Sequence, residues 1–399
     1  MMVILMSNRA SYSGPALLSM GFRTFFLLSA LFALAVVPVW VLAWHGRLTL
    51  GGPFIATDWH IHEMIWGYTG AVIAGFLFTA VPNWTGRMPT RGWPLGALAG
   101  VWVLGRLAVA GLLGLAPLGV LAVDAAFLLA VAAMILREIV AGRNWRNLMV
   151  LGPVLVFLAA NVVFHVEAMQ TGTSDIGRRL GLAVVVFLIT LIGGRIIPSF
   201  TRNWLAKQGA ARMPVPVNRF DGVCLGAGAL SLLAWSCHPG AATGTGLVLA
   251  GLLQALRLSR WRGQATWRSP LLVMLHVAYG FVPLGLVATG LAGWNLLPLA
   301  AGLHLLGVGA IGGMTLAVMM RATMGHTGRD LVAGPWLTAA FVTLVAATAL
   351  RAGLPEATIL GLSGLTWAAA LWTGAFGAFT LQVGPWLLLP QMTRKQPSR

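Results

Sequence analysis

The stretch DWHIHEMIWG, residues 58–67, sets His60, His62 and Glu63 almost side by side at the mouth of an otherwise apolar segment. Imidazole binds haem iron and copper in its neutral form, which a low-dielectric setting favours. A neighbouring carboxylate can orient the second ring nitrogen or relay a proton. On a regular helix His60 and His62 point roughly 200° apart and would serve two different centres; on a frayed first turn they could share one. Glu63 falls on the face of His60, at i and i+3.

Four further histidines sit in apolar surroundings. His165 ends the fifth apolar run, with Asn161 one turn away and Glu167 beside it, and His304 lies about 10 Å down the tenth. With His60 and His62 they make one outer layer of candidate metal ligands. The plainer alternative is four imidazoles bonded to nearby carbonyls or resting at the interface. His276 and His326 form a second, inner polar layer with Arg195, Arg321 and Asn83, the arginines snorkelling to the interface. Arg106 and Asp124 lie about 10–12 Å down consecutive antiparallel runs. Either charge alone in lipid is costly, so equal depth predicts an ion pair; Arg106 could instead hold a haem propionate. His45 and His238 fall in loops and read as solvated.

The elements that must position these groups are membrane helices. The chain has 399 residues, 58% hydrophobic and only 9% charged, with mean hydropathy +0.85, where soluble domains carry about a quarter charged residues. The net charge of +17 does not point to nucleic acid, because the 26 basic residues form no basic domain. An all-α bundle of about twelve transmembrane helices is predicted near 22–44, 60–83, 94–114, 117–136, 147–168, 179–200, 219–236, 243–258, 269–290, 297–321, 335–351 and 356–382. Basic loops follow the even helices, with Arg87, Arg143, Arg202, Arg257, Arg262 and Arg321 among them. Loops after odd helices are neutral or uncharged, and both termini are basic, so both ends are expected in the cytoplasm. The first run is too long for a signal h-region and reads as a retained anchor. Cys224 and Cys237 lie on one helix, roughly 20 Å apart, which excludes a mutual disulfide. No CxxCH, P-loop, Rossmann fingerprint or nucleophile set is present. Trp59, Trp66, Trp84, Trp93, Trp145, Trp204, Trp261, Trp267, Trp294 and Trp386 mostly fall at span ends and read as interface anchors. GVGAIGG in the tenth run reads as close helix packing.

Gly75, Gly194 and Gly313 are evenly spaced on the second, sixth and tenth runs, each of which ends in a similar basic phrase: PNWTGR, PSFTRNW and GHTGR. This spacing raises a three-fold repeat of four-helix units around an axis, as in the haem–copper oxidases, an analogy of fold alone. Small residues at helix contacts explain the same glycines without a repeat.

Several phrases are similar to those of a known family: FRTFFLLSALFALAV (22–36), DWHIHEMIWGYTGAVIAGFLFTAVPNWTGR (58–87), GGRIIPSFTRN (193–203), MLHVAYGFVPLG (274–285) and LHLLGVGAIGGMTLAVMMRATMGHTGR (303–329). From about residue 15 to 386 the chain resembles the NnrS family. Thr24 stands where that family has proline, and the ending QMTRKQPSR departs from its usual one. The resemblance implies a bacterial inner-membrane protein containing haem and copper, acting in the nitric-oxide response, denitrification and resistance to nitrosative stress. By position it implies ligand roles for His60, His62, His276, His304 and His326, with His165 a looser match. The expectation is therefore b-type haem and copper held by intramembrane histidines, with Glu63 relaying protons if nitric oxide is turned over and an unknown electron donor. On this reading haem is lost when His62, His276 or His304 becomes alanine. A secondary transporter of a small anion, without metal, is the rival from another class; a haem-handling factor that does not consume nitric oxide is a third.

Overall fold

The computed structural model describes residues 12–391, so the basic termini invoked for orientation and the departing QMTRKQPSR ending, apart from Gln391, lie outside the described residues. Lipid cannot satisfy backbone N–H and C=O groups, so apolar runs of this length must close their hydrogen bonds internally as helices. The long helices are α1 (Gly21–Trp44), α2 (Ala56–Thr85), α3 (Trp93–Val109), α4 (Pro117–Ala141), α5 (Leu148–Thr171), α6 (Ile176–Lys207), α7 (Arg219–Cys237), α8 (Ala241–Ser259), α9 (Pro270–Ala292), α10 (Leu299–His326), α11 (Gly334–Gly353) and α12 (Gly364–Leu388). Among the described residues ten are long and apolar enough to cross a membrane. α3, with 17 residues, is a shorter apolar helix; α12 has 25 residues but is diluted by glycine, threonine and tryptophan.

Two boundaries differ from the sequence reading for local reasons. α3 stops at Val109 because Gly111 and Gly114 take φ of +81° and +61°, a turn rather than a helix. The last helix starts at Gly364, because residues before it form a small antiparallel hairpin, β1 (Thr358–Ile359) with β2 (Leu362–Ser363). Leu360 and Gly361 both have positive φ at its tip, as a two-residue hairpin turn requires. Ser363 then caps α12 by accepting from Thr366 N at 3.2 Å.

α2, α6, α9 and α10 form the interior, with most of their most apolar stretch buried, whereas α7, α8 and α11 are mostly exposed along theirs. α1 packs between α2 and α12, α3 against α4, α5 against α6, and α8 between α7 and α9. The tightest crossing is α8 on α9. A Cβ on Gly244 would meet Gly290 O at 2.5 Å, and one on Gly290 would meet Gly244 O at 2.4 Å. Backbone faces backbone there, so neither side can yield by a rotamer change. Gly290→Ala is expected to destabilise the protein by about 1–3 kcal/mol, read as a lower melting temperature in detergent; an unchanged melt would contradict this packing.

Three of the four inner helices leave the α-helical path for a π-helical stretch: residues 63–69 of α2, 189–193 of α6 and 305–312 of α10. Such segments widen the turn and cluster at functional sites. Polar side chains brace the carbonyls in or beside each one. Trp102 Nε1 donates to Gly67 O at 3.0 Å, Arg257 Nη1 to Thr190 O at 2.8 Å, and Thr315 Oγ1 to Ile311 O at 2.7 Å.

Some charges and aromatics read as peripheral are interior. Arg257, counted above with the loop cations, lies within α8, 1% exposed, and pairs with Asp221 of α7 at 2.9 Å. Trp59, Trp66 and Trp261 are buried in the core, whereas Trp84, Trp93, Trp145, Trp267 and Trp294 are exposed as interface anchors would be. Cys224 is buried, Cys237 is exposed, and both are free thiols.

Candidate functional site

His60 and His62 leave α2 on opposite sides and enter two separate environments. The helix is α-helical through His62 and becomes π-helical at Glu63. That change of path alters the i, i+3 relation. Glu63 does not join His60; its Oε1 lies 2.9 Å from His62 Nδ1 and accepts from Arg106 Nη1.

On the His62 side, α2, α3, α4 and α5 converge in a fully buried polar cluster. His62 Nε2 lies 3.1 Å from Asp124 Oδ2 and 3.1 Å from Asn161 Oδ1. Asn161 Nδ2 donates to Asp124 Oδ2 at 2.7 Å, and His165 Nε2 lies 3.2 Å from the same oxygen. Arg106 Nη2 pairs with Asp124 Oδ1, so the predicted Arg106–Asp124 ion pair is present, enlarged by Glu63. The Arg106 Nε is buried without a hydrogen-bond partner. Phe54, Phe164 and Trp66 wall the His62 ring, with Phe54 centred 5.1 Å from His62 and 4.9 Å from His165. One ligand atom each from His62, Asp124 and His165 lies within 4.8 Å of the other two, the only such group of three or more potential ligands among the described residues. Two carboxylates face one guanidinium. With neutral imidazoles the cluster therefore carries an excess negative charge in a low-dielectric setting, which a ring proton or a metal cation would balance. Imidazole and carboxylate donors suit copper among other divalent metals.

Gly67 is what lets the arginine in. A Cβ there would meet Arg106 Nη1 at 2.8 Å and Glu63 Oε2 at 3.0 Å. A metal ion offered to this group is expected to bind tenfold or more weakly in Gly67→Ala than in wild type, of the size seen when groups supporting metal ligands are displaced. Copper titration followed by equilibrium dialysis checks it, and unchanged affinity would contradict this geometry.

On the His60 side lies a cavity of about 480 Å³ between α1, α2, α6, α7, α10, α11 and α12. This falls in the range of about 300–1,000 Å³ typical of cofactor sites. His60 and His304 both line it, with Trp40, Tyr68, Trp372, Arg178, Arg179 and Arg351. His60 stacks on Trp40, ring centroids 4.2 Å apart, and its Nδ1 is buried with no hydrogen-bond partner. His304 Nδ1 donates to Ala300 O at 2.7 Å. That bond fixes the tautomer and leaves the Nε2 lone pair free, as in metal-ligating histidines. The donors therefore fit a macrocycle-bound iron. At the mouth, the Arg179 guanidinium bonded to Asp175 holds that exposed carboxyl below its ordinary range.

The structure thus splits the expected outer layer into two pairs, His62 with His165 and His60 with His304. Arg106 is committed to the carboxylate cluster and does not line the cavity. The inner layer does not assemble. His276 Nδ1 donates to Leu272 O at 2.9 Å, with Thr201 Oγ1 3.5 Å from Nε2, whereas His326 packs on Phe22. Arg321 lies over the Phe200 ring at 4.0 Å. The sequence reading missed the cavity's arginines. A signal existed: Arg178, Arg179 and Arg351 are basic residues at the end of the bundle whose loops only balance to neutrality.

A bundle of apolar helices that holds a buried His/Asp/His group and a histidine-lined cavity defines a polytopic membrane protein with a candidate metal centre. The family model for "NnrS protein" matches residues 16–391, nearly the whole described chain, and the chain belongs to the NnrS family. No curated protein matches it.

Proposed function

We propose that this chain is a bacterial inner-membrane protein that binds b-type haem and copper and acts on nitric oxide, in the response to nitrosative stress. The observation that carries this is the division of the HIH pair between two sites of different chemistry: one a roomy cavity with two imidazoles, the other a compact His/Asp/His cluster. His60 and His304 would hold the haem iron, while His62, His165 and Asp124 would hold copper. Bound there, the metals would supply one-electron chemistry toward nitric oxide. Glu63 exchanges a proton with His62 Nδ1, while the Arg106 guanidinium, always charged, holds its carboxylate in place. The aromatic walls around His62 exclude water from the compact cluster. His276 and His326 have no ligand role in this reading.

The same reading has α3 and α12 cross with the other ten helices, giving twelve spans with both ends cytoplasmic. The paired sites then lie toward the periplasm, open to an uncharged ligand arriving through lipid. It also takes α2, α6 and α10, each with its π-helical stretch, as the inner members of three four-helix units.

Metal analysis of the purified protein with a reduced-minus-oxidised spectrum tests the proposal. The expected result is stoichiometric iron and copper with a b-type haem spectrum. A colourless, metal-free protein that moves a small anion across vesicles would overturn it.

A further inference from the structure

The cavity carries a cation that no protein group bonds among the described residues. Arg351, at the end of α11, lines it and makes no hydrogen bond or ion pair among the described residues. Glu356 acts on it only from beyond hydrogen-bonding reach. Half-buried guanidinium groups facing apolar surroundings are costly unless an anion completes them. Of the other two arginines on the wall, Arg179 is spent: 11% exposed, it donates to Ser236 O at 2.9 Å and pairs with Asp175. Arg178 is not spent. It is 38% exposed, bonded to Asp175 at 3.2 Å and 3.9 Å from Asp58, with donors to spare.

All three sit at the end where the alternation of loop charge disfavours basic residues, so charge topology does not account for them. The rest of the wall is largely aromatic and aliphatic: Trp40, Trp44, Tyr68, Trp235 and Trp372 among others. A flat apolar body with anionic groups at one edge matches that distribution, because guanidinium forks pair with carboxylates in two parallel hydrogen bonds.

We infer that Arg351 receives a carboxylate of the bound macrocycle and that Arg178 is the second anion-binding group, so the cavity selects a dicarboxylate porphyrin over a neutral one. This rests on the haem reading given above. It assigns to Arg351 and Arg178 the propionate role that the sequence suggested for Arg106.

The test uses full-length protein produced without haem, titrated in detergent with hemin and with hemin dimethyl ester, which keeps the ring and iron but has no charged edge. Wild type is expected to bind hemin at least tenfold more tightly than the ester. Arg351→Gln is expected to lose most of that preference while still binding the ester as wild type does. Arg351→Lys should restore part of the preference, and Arg178→Gln should remove a smaller share. Equal affinity of wild type for both compounds overturns the inference without need of any variant. So does a preference undiminished in Arg351→Gln. A wild type that binds neither compound overturns the haem reading itself. Hemin binding that inorganic phosphate or chloride displaces while the ester's does not would show a general anion site, and would overturn the selection for a porphyrin.

Discussion

Protein in which both His60 and His304 are replaced by alanine is expected to purify folded and without a Soret band. Each single variant should lose more than tenfold in haem affinity, since even groups one step removed from a metal cost about 10–100-fold when displaced. The reason is geometric. His304 donates Nδ1–H to Ala300 O within its own helix, so the ring is held with Nε2 outward before any ligand arrives. His60 is clamped against Trp40 and has no protein partner for Nδ1. His62→Ala and His276→Ala are expected to keep haem, because neither ring lines the cavity; this departs from the sequence-based expectation, which grouped both with His304. His62→Ala should instead lose copper. Loop residue His238 serves as the control. A double variant with full Soret absorbance would remove the ligand assignment.

The second large effect is on stability. Arg106→Met is expected to cost about 3–5 kcal/mol, because it strands the Glu63 and Asp124 carboxylates in the interior with no cation between them. The side chain also packs over the Trp102 ring, at 6.0 Å, so some apolar contact survives in methionine. Adding Glu63→Gln and Asp124→Asn to Arg106→Met should recover most of the loss, since well-matched neutral groups often replace a buried ion network at little cost. Thermal unfolding in detergent reads both. A single variant within 1 kcal/mol of wild type, by the approximate scale of exposed pairs, would mean that the network is solvated.

What the residues disclosed in advance followed from geometry that helices share. The opposed directions of His60 and His62, the Arg106–Asp124 pair and the nearness of Asn161 to His165 all come from 3.6-residue periodicity and from depth in antiparallel runs. Glu63 was misplaced because a π-helical stretch begins at that residue, and nothing in EMIWGYT distinguishes a π path from an α path. Trp59, Trp66 and Arg257 were misread by position along a helix. Whether a residue near a helix end faces lipid or protein depends on neighbours far away in sequence, such as Phe157, whose carbonyl accepts from Trp66 Nε1 at 3.0 Å. The cavity was not legible, since seven helices contribute to it. Its arginines were legible, as basic residues at the end of the bundle whose loops only balance to neutrality. The matched glycines did mark three inner helices, and all three carry a π-helical stretch, a feature of backbone that glycine spacing alone does not disclose.

α2 is the partition between the two sites, and His60 and His62 are separated on it by Ile61 alone. A ligand that rotates or stiffens this turn from one side must alter the rest position of the imidazole on the other. Thermodynamic linkage then makes the influence mutual: whatever factor an occupant of the cavity imposes on affinity at the carboxylate cluster, an occupant of the cluster returns to the cavity. On the proposed reading, haem and copper would load as a cooperative pair, with this one helical turn as the lever.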